Sequence, residues 1–324
     1  MDHPSAHLRT SVRFNHEPAG TIISASYRTD IPAFYGDWFM GRLNAGTCRV
    51  ANPYGGRDFM VSIAPDEVDG FVFWTRNPAP FVAALNKISH HGIPFVVHFT
   101  VVGYPQEIDR SVPRLETQIE SFIRIARDFG PHVLVWRYDP VVLSSLTTFD
   151  FHTQNFCRIC TQLAGSTDEV VISFVNPYRK SRRNLDAAAR QSGFAWRQTS
   201  ESDAAVLTQE FATIATSNGM RLTICAQPQY LITPASPAKC IDADRLSRVA
   251  EREILARQKG NRPGCLCDES RDIGAYDTCA HGCTYCYAVN DRSRATAALK
   301  QHNPESETLS FAAPTSTASR TNIR

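Results

Sequence analysis

The sequence predicts an α/β fold on a parallel sheet of about six strands, closed fully or partly into a (β/α) barrel, with a cysteine-rich C-terminal segment packed on it. Three observations predict it. Six short apolar runs alternate with helix-forming stretches through positions 21–228, the order of a repeated βα unit. The runs are apolar at nearly every position, as strands covered on both faces are. Neither a G-x-G-x-x-G turn nor a P-loop follows any run, which withdraws support from a nucleotide-binding doubly wound sheet and favours the barrel.

The elements follow in order. Thr21 to Ser26 is a short β-rich run, and Ala33 to Leu43 forms a helix after Pro32, a residue suited to a first turn. Gly70 to Trp74 is the second strand, and a helix over Asn77 to Ile88 follows, with Asn77 as cap and Pro78 at its first position. Pro94 to Val101 is the third strand, with an amphipathic helix over Val112 to Phe129 behind it. His132 to Arg137 is the fourth, followed by a helix over Asp150 to Ala164 capped by Asp150. Glu169 to Val175 is the fifth, Asp203 to Ser217 a helix, and Met220 to Cys225 the sixth strand. The basic stretch Arg179 to Ser202 reads as a long connection with a solvated face.

Composition narrows the function. With 43% hydrophobic and 20% charged residues the chain can bury a sizeable core, and a net charge of +2 creates no strong field toward nucleic acid or membrane. No apolar run reaches transmembrane length, and the polar start, Met1 to Pro18, lacks the apolar centre of a secretory signal, so a cytoplasmic protein is expected. Four regions follow: an extension over 1–20, the barrel-like domain over 21–228, a cysteine-rich segment over 229–300, and a disordered Ser/Thr-rich tail over 301–324. In a reducing compartment ten cysteines suggest metal or redox chemistry rather than disulfides, and seven of them crowd into the last third. Cys157 and Cys160 lie in a helical pattern and read as buried thiols.

Polar residues collect just after the apolar runs. Arg28 and Asp30 follow the first, Arg76 and Asn77 the second, and Arg137 and Asp139 end the fourth. Parallel barrel strands deliver their C-terminal ends to one face, so these six are the candidate catalytic residues of one rim. Three arginines converging there suit an anionic group or carboxylate. The alternative is structural, with Arg28 pairing Asp30 and Arg137 pairing Asp139 across the rim. His98 is as suited to the core as to catalysis.

The most specific motif is Cys279-Ala-His-Gly-Cys283-Thr-Tyr-Cys286. Three thiolates at this spacing can ligate three irons of a [4Fe–4S] cube, and Gly282 allows a tight turn between them. The spacing, with Tyr285 before the last cysteine, resembles the cysteine loop of radical S-adenosylmethionine enzymes. That resemblance implies a partial barrel, a cluster with one open iron, and S-adenosylmethionine cleaved there to a 5′-deoxyadenosyl radical. It also implies cofactor contacts from Tyr285 and from Asp30 or Asp139, and an electron donor such as a flavodoxin, a ferredoxin or a reductase. Here the loop follows all six strands, so a strand near Asp272 to Tyr276 is expected to feed it. The stretches ISASYRTDIPAFYGDWFM, VFWTRNPAP, VWRYDPVVL, VISFVNPY and CLCDESRDIGAYDTCAHGCTYCYA also resemble a bacterial family known as domain of unknown function 1848, from about Ile22 to Ala288. That family name implies no activity. Cys225, Cys240, Cys265 and Cys267 remain, a full complement for either a second closed cluster or a tetrahedral zinc ion. The competing functions are a radical enzyme on a small molecule, a metal-stabilised binding protein without catalysis, and a radical enzyme on nucleic-acid lesions. Tyr285-Cys286-Tyr287 resembles the ending of the last class, while Arg179 to Arg183 is its only basic patch.

Overall fold

The computed structural model describes residues 20–53 and 55–309. The extension over 1–19 and the tail from 310 lie outside the described residues. The six expected strands form where the apolar runs are: β1 (Thr21–Ser24), β2 (Val68–Thr75), β3 (Phe95–Thr100), β4 (Leu134–Val141), β5 (Glu169–Phe174) and β6 (Arg221–Ile224). Two more strands of two residues each, β7 (Ser236–Pro237) and β8 (Arg271–Asp272), extend the sheet to eight. The expected count of six is thereby corrected, because two-residue strands carry no periodic signal.

All neighbours in this sheet are parallel, in the order β7-β6-β5-β4-β3-β2-β1-β8. Each strand lies beside its predecessor, and β8 lies outside β1. The order suits a barrel, but no pairing between β7 and β8 is seen among the described residues, so closure is not shown. β8 is the strand expected to feed the cysteine loop, and it pairs through Ile23 with Arg271 and Ser24 with Asp272. A separate hairpin joins Thr47–Val50 to Phe59–Ser62.

Helices fill the connections: α1 (Ile31–Phe34), α2 (Gly36–Ala45), α3 (Val82–His90), α4 (Leu115–Phe129), α5 (Phe149–Leu163), α6 (Arg179–Ser192), α7 (Glu201–Ser217), α8 (Ala243–Ala250) and α9 (Arg292–Gln301). The cap of α5 is Thr148, whose hydroxyl accepts from the Phe151 amide, not Asp150. α7 starts at a reciprocal capping box between Ser200 and Asp203. The stretch 179–192, expected as a connection, is a helix: Ser181, Leu185 and Ala188 share a buried stripe that its charge obscured. On α5, Cys160 is buried as expected and Cys157 is exposed.

Both sheet faces are buried, which explains the unbroken apolar runs. One face, with Phe71, Phe73, Phe99, Trp136 and Ile172, packs on helices α2 to α7. The other, with Ile22, Val72, Val96, Val135 and Val171, is covered by Ala238, Ile241, Leu246 and Ile254 of the C-terminal segment. Arg245 of α8, only 2% exposed, reaches Asp168 at 2.8 Å, Glu169 at 2.7 Å and the His132 carbonyl at 2.9 Å. These partners lie at the starts of β4 and β5, so α8 seals the N-terminal end of that face. Gly70 makes room for it: a Cβ there would meet Leu246 at 2.8 Å.

Residues just past 301, expected to belong to the tail, are among those described. Residues 302–309 pack on the domain: Trp38 donates to the Ser306 carbonyl at 2.9 Å, Arg49 bridges to Thr308, and Leu309 is buried. Among the described residues no helix is long and apolar enough to cross a membrane.

Candidate functional site

With α8 blocking one end of the sheet face, a cavity of about 480 Å³ opens at the C-terminal ends of the strands. Arg28, Asp30, Arg76, Arg137 and Asp139 all line it, as does Tyr285. So do all seven C-terminal cysteines. Asn77 does not; its side chain accepts from the Ala79 amide at 3.3 Å in the turn before α3, and the helix itself begins later, at Val82 with Phe81 at its cap position, so Asn77 is not the expected cap.

The Cys279 loop is held by backbone. Thr284 donates to the Ile108 carbonyl at 3.0 Å and Ser111 to the His281 carbonyl at 2.9 Å, while Tyr35 donates its hydroxyl to the Thr278 carbonyl at 2.7 Å. Gly282 has φ +72°, and a Cβ there would meet the Arg292 side chain at 2.7 Å, so the turn requires glycine.

Arg76 organises the loop's inner side. It forms a two-pronged pair with Asp109, donates to the Tyr285 hydroxyl, and lies 3.6 Å from the Cys283 sulfur. Tyr285 in turn donates to Asp109 at 2.8 Å. Arg76 and Asp109 side chains are 9% and 2% exposed, so this is a buried ion pair. Asp109 escaped the sequence reading because it does not stand at a strand end; it lies farther along the loop after β3 and reaches the site only through the fold.

Asp30 is fully engaged. One oxygen caps α1 at the Ala33 amide (2.9 Å); the other takes the Arg76 amide and His281 Nε2, each at 2.8 Å. Its carboxylate fixes the loop to the rim while still lining the cavity. Arg28 pairs with Asp272 of β8 rather than with Asp30. Arg137 pairs with Asp139 as the alternative reading had it, at 3.0 Å and 2.5 Å, and Ser173 takes the other Asp139 oxygen. Asp139 is thus also committed internally.

The remaining four cysteines meet on the other side of the cavity. The Cys225 and Cys240 sulfurs are 3.5 Å apart. Cys240 adjoins Cys267, and Cys267 hydrogen-bonds Cys265, so the four thiols form one patch. That hydrogen bond from Cys267, then the Cys267 and Asn261 amides, pulls the Cys265 thiol down to about 6 against its burial. Arginines face the other end of the patch: Arg137 donates to Cys240 at 3.1 Å and Arg262 to Cys225 at 3.5 Å. Burial pushes the Cys279, Cys283 and Cys286 thiols up. Among the described residues no group of three or more His, Cys, Asp or Glu is arranged to hold a metal ion.

Aromatic rings complete the wall. Tyr27 packs edge-on to Trp74 at 5.6 Å and lies 6.4 Å from Tyr287. His98 is a buried core histidine behind this wall, stacked on Trp74 at 5.2 Å and hydrogen-bonded to the Cys240 carbonyl at 2.6 Å. Burial, then the Arg137 charge, pushes it well below its ordinary range.

Fold and site together define an α/β protein with a parallel eight-stranded sheet and a cavity of cysteines and arginines at its strand ends. The chain belongs to the family described as Domain of unknown function (DUF1848), whose profile matches residues 22–288. No curated protein matches it. Among solved structures it is similar to a D-hydantoinase crystal structure at 9% identity and a TM-score of 0.27, covering 64% of this chain. The chain spans about two fifths (41%) of that protein's length.

Proposed function

We propose that the protein is an iron–sulfur enzyme of the radical S-adenosylmethionine type, with Cys279, Cys283 and Cys286 holding a four-iron cluster. The observation that carries the reading is the placement of this loop. It leaves a parallel edge strand, β8, beside β1, and all three cysteines border the cavity at the strand ends. The donor set fits: the loop contributes three sulfurs, and thiolates are the ligands such clusters take. Ligands of a cube each take a separate iron, so they do not converge on a point as ligands of one ion would.

The cluster, once reduced, would supply an electron for homolytic cleavage of S-adenosylmethionine. The chain's own residues do the rest. Arg76 sets its charge against the Cys283 sulfur, and Asp109 and Tyr285 hold that guanidinium in place. Tyr27, Trp74 and Tyr287 offer flat apolar surface for a purine ring. The electron donor is proposed to be a small flavin or iron–sulfur protein.

The test is anaerobic reconstitution with iron and sulfide, reduction, and addition of S-adenosylmethionine. Release of 5′-deoxyadenosine is expected from the parent chain and not from Cys283→Ala. A reconstituted parent that neither binds nor cleaves S-adenosylmethionine overturns the reading.

A further inference from the structure

We propose that Cys225 and Cys240 form a redox-active dithiol, closed to a disulfide by exchange with a small-molecule disulfide that enters the cavity and reacts first at Cys265. The inference does not depend on the Cys279 loop.

Four thiols from distant parts of the chain meet in one patch. Cys225 follows β6, Cys240 follows β7, and Cys265 and Cys267 lie on the loop before β8. All four are free thiols, and all border the cavity. The Cys225 and Cys240 sulfurs lie 3.5 Å apart. A bond between them asks the two to close by about 1.5 Å. Cys240 adjoins Cys267, and Cys267 hydrogen-bonds Cys265. Disulfide exchange needs only two sulfurs in contact at a time. The patch is built that way, and no three of its thiols are arranged about one ion among the described residues.

The patch has an open end and a buried end. Cys225, Cys240 and Cys267 are buried, whereas Cys265 is half-buried and its neighbour Leu266 is 37% exposed. Cys265 is therefore the sulfur that an incoming disulfide meets first. The hydrogen bond from Cys267 also holds its thiol below the usual range, and the thiolate is the attacking species. At the buried end Arg137 donates to Cys240 at 3.1 Å and Arg262 to Cys225 at 3.5 Å. These guanidiniums stabilise negative charge on the sulfurs as they exchange.

The steps balance. Cys265 attacks the disulfide R–S–S–R, releasing one R–S–H and keeping the other half as a mixed disulfide. Cys267 attacks the Cys265 sulfur and releases the second R–S–H. Cys240 then attacks Cys267, freeing Cys265, and Cys225 attacks Cys240, freeing Cys267. Each step breaks one S–S bond and forms one, and the proton of the attacking thiol passes to the leaving thiolate. The two thiols of Cys225 and Cys240 are oxidised, and the small disulfide is reduced to two thiols. A bridge across the C-x-C pair closes a tight ring, so it passes on readily, as strained disulfides do. The final bond ties the end of β6 to the segment that covers the second sheet face.

The test uses the full chain, purified anaerobically and reduced, then equilibrated with oxidised glutathione. Non-reducing peptide mass mapping locates the bridges, and zinc and iron are measured on the same sample. A bridge between Cys225 and Cys240 is expected, reversed by dithiothreitol. Glutathione on single cysteines with no such bridge overturns the proposal, and so does bound zinc that keeps the four thiols unreactive. Cys265→Ser should slow bridge formation at least about tenfold, since the buried sulfurs lose their accessible entry point, and an unchanged rate overturns the relay. The same bridge is expected in the full chain carrying Cys279→Ala, Cys283→Ala and Cys286→Ala together, so failure of the iron–sulfur reading is distinguishable from failure of this one.

Discussion

Removing the Asp109 carboxylate isolates what holds the Cys279 loop in place. In Asp109→Ala, Arg76 keeps its charge in a position only 9% exposed but loses both prongs of its partner, and Tyr285 loses its 2.8 Å acceptor. Breaking a buried pair from one side costs about 3–5 kcal/mol, because the surviving charge stays desolvated. That is a large part of the roughly 5–15 kcal/mol that stabilises a domain. Replacing both partners by apolar residues of similar size, Arg76→Met with Asp109→Leu, removes the stranded charge and should cost no more than about 1–2 kcal/mol. The assay is urea unfolding of the metal-free, reduced protein, followed by tryptophan fluorescence. The parent, Arg76→Met alone and Asp109→Leu alone complete a double-mutant cycle. If Asp109→Ala costs less than about 1 kcal/mol, or if the double variant costs as much as the two singles combined, the pair does not organise the loop and the reasoning fails.

Two further outcomes follow from buried groups away from the cavity. His152 donates to the Val142 carbonyl at 3.0 Å and faces the Tyr138 hydroxyl at 2.9 Å, and burial lowers it from 6.5 to about 4. The unfolded chain therefore binds its proton more readily, so stability falls as pH drops through 6.5 toward 4. The loss should be about 2 kcal/mol between about pH 7 and about pH 5, and His152→Gln should flatten that part of a pH series of urea midpoints. Arg245→Met removes the anchor of α8; since Arg221 still holds Glu169 at 2.6 Å, the cost should lie near the lower end of the buried-pair range, about 3 kcal/mol, read as a shift in thermal midpoint.

Much of the architecture was legible because its signal is local. The six long strands were readable from their apolar runs, since a strand buried on both faces must be apolar wherever it lies. The strand feeding the Cys279 loop was readable only as a requirement, and it formed as two residues on the edge of β1. α6 was hidden: a helix whose buried stripe is Ser181, Leu185 and Ala188, amid arginines and a lysine, looks like solvated chain. The rim arginines were identifiable because each follows a strand, but their partners were not. Arg28 takes Asp272 and Arg76 takes Asp109, both remote in sequence. Asp30 was readable as a residue of the cavity, but its partners, the helix cap, the Arg76 amide and His281, were not.

By itself, the sequence determined the strands, the parallel α/β class and the three-cysteine loop, each written within a few neighbouring residues. Only the tertiary structure decided that Cys225, Cys240, Cys265 and Cys267 touch, that α8 seals one end of the sheet face, and that arginines point at sulfur. The physical reason is distance along the chain. Periodicity and spacing report what a residue's neighbours do, whereas these contacts depend on the order of the strands and on where the C-terminal segment crosses their exposed face.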